Sequence, residues 1–228
     1  MRILKKAKNK WISFLADGVL SGLMLGIGGM VSLSSENRFL GAFLFSLGLF
    51  CIVQFQYGLF TGKVGYIVNR DLPYVAETAV TLLGNALGTL IAAILLRQVR
   101  FFTTAVSNMD VTIAERVQTT VSGKLNDHPL SIFLLAVFCG MLMFTAVEGN
   151  RKCRAEQNFA GALFVVVMPV MVFIICGFNH CIADLFYYFF AGCPQPGKAV
   201  IYFALAIAGN AVGGMVIPLF KKLSNNPL

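Results

Sequence analysis

His180, Asp184 and Lys63 stand out because each lies in a mostly apolar stretch, where ionisable side chains are costly and usually face a pathway. An imidazole with an ordinary pKa of about 6.5 exchanges a proton near neutrality, and a lysine ammonium attracts anions. Asp184 falls one helical turn after His180, on the same face if that segment is helical. Each charge also sits beside an interruption. Gly58-Leu59-Phe60-Thr61-Gly62 precedes Lys63, and Gly177-Phe178-Asn179 precedes His180. Unpaired backbone groups cannot face lipid, so breaks at 58–63 and 177–181 are expected to be buried in protein or to line a cavity. Free N–H groups at such helix ends would offer partial positive charge to an anion. Blander readings stand beside this one: Lys63 snorkels to the surface, and Asp184 merely pairs with a neighbour. Metal, redox or enzyme chemistry is not expected, and no cofactor is implied. The six cysteines (51, 139, 153, 176, 181 and 193) form no CxxC, and none is spaced for zinc with His180 or His128.

The elements that must position these residues are membrane spans. The chain has 228 residues, 57% hydrophobic and only 12% charged, against about a quarter charged in soluble domains. A span takes roughly 20 apolar residues. Six candidates run over 11–33, 39–68, 75–96, 130–147, 159–190 and 198–220, the second and fifth being too long and too interrupted to be simple. The first follows Arg2, Lys5, Lys6, Lys8 and Lys10 and is too long for a signal peptide. Arg70, Arg151, Lys152, Arg154, Lys221 and Lys222 fall on the same side as that basic start, whereas the short opposite loops hold Arg38 and Lys198. The positive-inside rule then predicts a multi-pass protein of the inner (plasma) membrane with both termini cytoplasmic. This asymmetry accounts for the net charge of +8 without nucleic acid.

The chain also repeats. Gly22-Leu23-Met24 returns as Gly140-Met141-Leu142, the Gly58 break as the Gly177 break, and Gly84-Asn85-Ala86-Leu87-Gly88 as Gly209-Asn210-Ala211-Val212-Gly213. The offsets are 118 (Gly22 to Gly140), 119 (Gly58 to Gly177) and 125 (Gly84 to Gly209). Three spans per half force opposite entry, so the spacing predicts inverted repeats over 11–97 and 129–221. The paired glycines read as close helix contacts. Asn85 and Asn210 either cross-link helices or hold an irregular loop. Residues 98–128 join the halves. There Val99, Phe102, Val106, Met109, Ile113 and Val117 recur as on an amphipathic helix lying at the membrane interface.

Taken together, Leu59-Phe60-Thr61-Gly62, Gly177-Phe178-x-His180 with Ala183 and Phe186, and the two Gly-Asn segments resemble the formate/nitrite transporter family over nearly the whole chain. The resemblance implies an all-α, aquaporin-like protomer of six spans, the second and fifth broken, in a homopentamer with one pore per subunit. It further implies Thr61 and His180 as the central polar pair, with Asn210 an amide on the last helix. Phe45, Leu49 and Phe173 would form one apolar constriction and Leu59 and Phe60 the other, while Lys124 would gather anions in the outer vestibule. The chain departs from the family pattern at Gly58, Lys63, Asn179 and Asp184, where Glu, Asn, Glu and Asn are usual, and lacks the usual Asn-Trp pair near 141–143. Two neutral sites thus become oppositely charged, which suggests a buried Lys63–Asp184 ion pair. The expected function is passage of a small monovalent weak-acid anion (formate, nitrite, hydrosulfide, lactate or similar) together with protons, with membrane lipid as the other partner. The pathway residues would be Thr61, His180, Lys63, Asp184, Asn179 and Asn210. The alternative is a pH-insensitive channel for another small anion such as hydrosulfide, with Lys63 setting selectivity.

Overall fold

The computed structural model describes residues 10–103, 105 and 110–224. Nine α-helices are formed among them: α1 (Lys10–Ser34), α2 (Arg38–Gln54), α3 (Phe60–Lys63), α4 (Leu72–Leu96), α5 (Ile113–Leu125), α6 (Pro129–Ala155), α7 (Phe159–Cys176), α8 (Cys181–Phe190) and α9 (Pro196–Leu223). Five of them, α1, α4, α6, α7 and α9, are long and apolar enough to cross a membrane. α2 and α8 are shorter apolar helices. The protein is therefore a multi-pass membrane protein whose exterior is apolar, with Phe43, Leu47, Leu83, Phe138, Phe164 and Val200 all exposed.

Helix starts follow local chemistry. Prolines open α4, α6 and α9, where a missing N–H costs nothing. The Asn37 side chain caps α2 by accepting from the N–H groups of Phe39 and Leu40, at 2.9 and 3.0 Å. α6 runs eight residues past the apolar stretch ending at Val147. Its polar last turns stay helical because Glu148 accepts two bonds from the Arg151 guanidinium (2.8 and 2.6 Å) and one from the Tyr66 hydroxyl (2.7 Å).

α1 packs chiefly on α4 and α6 chiefly on α9, while α2 meets α7. Both of the first two pairs run parallel and depend on missing side chains. A methyl group at Gly88 would strike the carbonyl oxygen of Val19, and one at Gly213 that of Val137.

The connection between the halves differs from expectation. Phe102 belongs to a short 3-10 turn (Arg100–Phe102) that the extended Val99 precedes, and the helix starts only at Ile113, while Val106 and Met109 lie outside the described residues. Its start is set by a capping box. The Thr112 hydroxyl accepts from the Glu115 N–H, and the Glu115 carboxylate accepts from the Thr112 N–H at 2.7 Å. That backbone bond, with a second from the Thr112 hydroxyl, holds the Glu115 carboxyl below the usual range. The buried stripe of α5 is Ile113, Val117, Val121 and Leu125, packed towards α8, α1 and α9. The helix therefore covers protein.

Candidate functional site

The second and fifth apolar segments are both broken. After α2 the chain leaves helical geometry over 55–59, with Gln56 at φ 58°, and re-enters as α3 followed by a 3-10 stretch (Val64–Asn69). The break thus begins before Gly58, and Phe60–Lys63, expected to be irregular, is helical. Aromatic Phe55 and Tyr57 read as membrane helix and conceal the earlier exit. After α7, Gly177 turns left-handed at φ 71°, and His180 caps the start of α8.

Each break is held by one asparagine, in the same way. Asn85 on α4 donates to the carbonyls of Gly18 (2.9 Å) and Gly58 (2.8 Å) and accepts from the N–H of Phe60 (2.9 Å). Asn210 on α9 donates to the carbonyls of Ala136 and Asn179, both at 2.8 Å, and accepts from the N–H of Cys181 (2.8 Å). Both asparagines are fully buried. Both open readings of these amides hold at once, since each ties a helix to a loop. The bonds pair Gly58 with Asn179 and Phe60 with Cys181, so the breaks correspond two residues away from the Gly58–Gly177 match read from the sequence. They also take up the first N–H group of α3 and of α8.

Between the breaks, Thr61 Oγ1 lies 3.0 Å from His180 Nε2, and both residues are buried. His180 Nδ1 accepts from the backbone N–H of Ala183 at 3.1 Å. A backbone N–H only donates, so Nδ1 is unprotonated in the neutral ring and Nε2 carries the hydrogen, which points at Thr61. The Thr61 hydroxyl hydrogen is then left to donate elsewhere.

Apolar side chains close both sides of this pair. The Phe173 ring stacks on His180 at 5.6 Å, and Phe45 meets Phe173 edge-on at 5.6 Å. Phe45, Leu49, Phe173, Leu59 and Phe60 are all buried. A cavity of about 430 Å³ lies on the Leu59 side, lined by Ile52, Tyr57, Lys63, Tyr66, Arg151 and Arg154 among others. A second, of about 340 Å³, lies on the Phe173 side, lined in part by Arg38, Arg116, Lys124, Asp184 and Tyr187. Thr61 and His180 line neither.

The expected Lys63–Asp184 pair does not form. The Asp184 carboxylate, 5% exposed, pairs with the Lys124 ammonium at 3.1 Å and accepts from the Tyr202 hydroxyl at 2.7 Å. Lys63 turns instead towards α1 and α4. Its ammonium stands 4.5 Å over the Phe14 ring and 3.4 Å from Thr81 Oγ1, under the influence of Glu77 and Asp17. The two residues belong to opposite cavities, and Lys63 makes no ion pair among the described residues, Glu77 pairing instead with Lys10. Lys124 also donates to Asn179 Oδ1 at 2.8 Å, and the Asn179 amide donates to the Ile132 carbonyl at 3.2 Å. Asn179 and Asn210 therefore fasten the second break. Tyr202 was not anticipated, although it lies two turns before Asn210 on the same face of α9. Among the described residues, no three His, Cys, Asp or Glu side chains gather as for a metal ion.

Interrupted apolar helices and a buried polar pair closed off from two flanking cavities define a membrane channel or transporter class of protein. The sequence profile of the formate/nitrite transporter family matches residues 2–221, and the chain belongs to that family. It is 26% identical to an uncharacterized transporter, YrhG, of Bacillus subtilis (strain 168), over 93% of this chain and 85% of that one. It is 23% identical to the formate channel FocA of Haemophilus influenzae, over 80% of this chain and 67% of the relative. Among solved structures, a pentameric formate channel with formate bound superposes with a TM-score of 0.77 at 22% identity, covering 96% of this chain and 99% of the other. An ion channel of the same family gives 0.76 at 16% identity, covering 95% and 90%.

Proposed function

We propose that the protein passes small monovalent weak-acid anions of the formate/nitrite class through each subunit, linked to protons at His180. The observation that carries this reading is the buried Thr61–His180 pair, set between two cavities and closed from each by apolar side chains. A charged anion loses its hydration at such constrictions, at a cost of many kcal/mol if nothing replaces the water. A weak acid avoids that cost by taking up a proton and crossing as the neutral molecule. At the centre the Thr61 hydroxyl hydrogen donates to the anion's oxygen, and the His180 Nε2–H reaches that oxygen by leaving Thr61. A proton relayed by His180 would displace the Ala183 N–H from Nδ1. Asp184, one turn further along α8, forms a charged pair with Lys124 of α5.

The matched asparagine clamps support two inverted repeats over 11–97 and 129–221, each contributing one break. The pentameric neighbour supports a homopentamer, and the distribution of basic residues supports cytoplasmic termini. Proteoliposome flux of formate, nitrite, hydrosulfide and lactate across an imposed pH gradient tests the reading. Wild-type flux should follow the proton gradient, and His180→Asn should uncouple or abolish it. Flux through His180→Asn that equals wild type at every pH would remove His180 from the mechanism. Anion current without proton movement would select the pH-insensitive channel instead.

A further inference from the structure

α5 carries two stripes. Ile113, Val117, Val121 and Leu125 are buried, and one position behind them Arg116, Thr120 and Lys124 repeat every four residues. All three of the latter line the 340 Å³ cavity, with Arg38 from the start of α2. Three cations and one carboxylate, Asp184, thus meet in one concave space. Lys124 is committed to that carboxylate and to Asn179. Arg38 and Arg116 are engaged differently. Arg38 donates to the carbonyl of Ile175 at 2.7 Å and reaches that of Ile174 at 3.4 Å. Arg116 donates to the carbonyl of Leu33, and to that of Ser35 at 2.9 Å. These carbonyls belong to the C-terminal ends of α7 and α1, where the helix dipole favours a cation. They anchor both guanidiniums while leaving their charge intact. Neither arginine forms an ion pair among the described residues. Each guanidinium has five N–H donors, so donors are left over for a second ligand.

We propose that Arg38 and Arg116 form an anion-holding antechamber at this mouth, taking small singly charged anions, and that they supply the attraction there in place of the neutralised Lys124. The role in transport rests on the function proposed above; the binding site itself does not. Excess positive charge in a concave, low-dielectric wall raises the local anion concentration.

The test is formate uptake into proteoliposomes against formate concentration and ionic strength. In Arg38→Gln/Arg116→Gln the half-saturating formate concentration should rise at least about 3-fold and its ionic-strength dependence should flatten. The rate at saturating formate should stay within about two-fold of wild type, because the central pair is untouched. Arg38→Lys/Arg116→Lys should keep most of the wild-type behaviour. Unchanged half-saturation in the glutamine variant would overturn the proposal, as would equal losses in the lysine variant, which would mean that only the carbonyl contacts matter. Wild-type protein without formate flux would count against the proposed function alone. In that case anomalous scattering from crystals soaked in bromide decides: an anion between Arg38 and Arg116 that is lost in the glutamine variant supports the site, and none in wild type overturns it.

Discussion

The two breaks share one scaffold and carry opposite charge. Counting from the clamped N–H groups of Phe60 and Cys181, three residues further on stand Lys63 and Asp184. Eight residues before each clamping asparagine stand Glu77 and Tyr202. In the first half a half-buried lysine faces acidic neighbours. In the second half a buried aspartate is held by a lysine from α5 and by Tyr202. A shared backbone arrangement thus tolerates charge of either sign, provided that compensation is local. The halves differ most in how closely that compensation is tied to the fold.

The largest effect should come from removing the partner of the more buried charge. Lys124→Met leaves Asp184 with Tyr202 alone, and breaking such a pair costs about 3–5 kcal/mol. Equilibrium unfolding in SDS-containing micelles should record that loss. Lys124→Met/Asp184→Asn should recover most of it, because no charge is then left uncompensated. Additive losses in the double variant would mean that the pair is not the reason for the instability.

The clamps come next. Asn85→Ala removes all three bonds holding the first break, an expected loss of about 2–3 kcal/mol, since buried groups are left unpaired. Asn210→Ala should cost less, because Asn179 still ties the second break to Ile132 and Lys124. If the same unfolding assay finds Asn210→Ala the worse of the two, the extra ties around Asn179 carry no weight. The smallest effect belongs to Lys63→Met. This half-exposed ammonium makes one long hydrogen bond and sits over aromatic rings, so its loss should cost less than about 1 kcal/mol. A larger drop would place Lys63 in a tighter network than its contacts indicate.

What the sequence made legible follows from the physics of each feature. Long apolar stretches and their glycine interruptions are local, so the apolar segments, the existence of two breaks and the recurrence of Asn85 as Asn210 could be read directly. The start of the first break was misplaced because aromatic Phe55 and Tyr57 are common in membrane helices and no glycine or proline marks the exit before Gly58. The partner of Asp184 was hidden for another reason. Lys124 lies 60 positions away on α5, and their meeting depends on how that helix folds over the bundle. Periodicity could show that the connection was amphipathic, but Ile113 as its helical start depended on the Thr112–Glu115 box. The central pair was legible through the family resemblance; the hydrogen bond that orients His180 was not, because it uses a backbone N–H.

Asn85 and Asn210 each take up the first N–H group of a helix, α3 and α8, which leaves fewer main-chain donors along the proposed route. On the proposed function, recognition there falls chiefly to exchangeable side chains. A filter built of carbonyls or amides would have to be rebuilt to accept new cargo, whereas here single codon changes at Thr61 or in the surrounding apolar ring would retune it. The same framework could serve organisms with different metabolic needs without being redesigned.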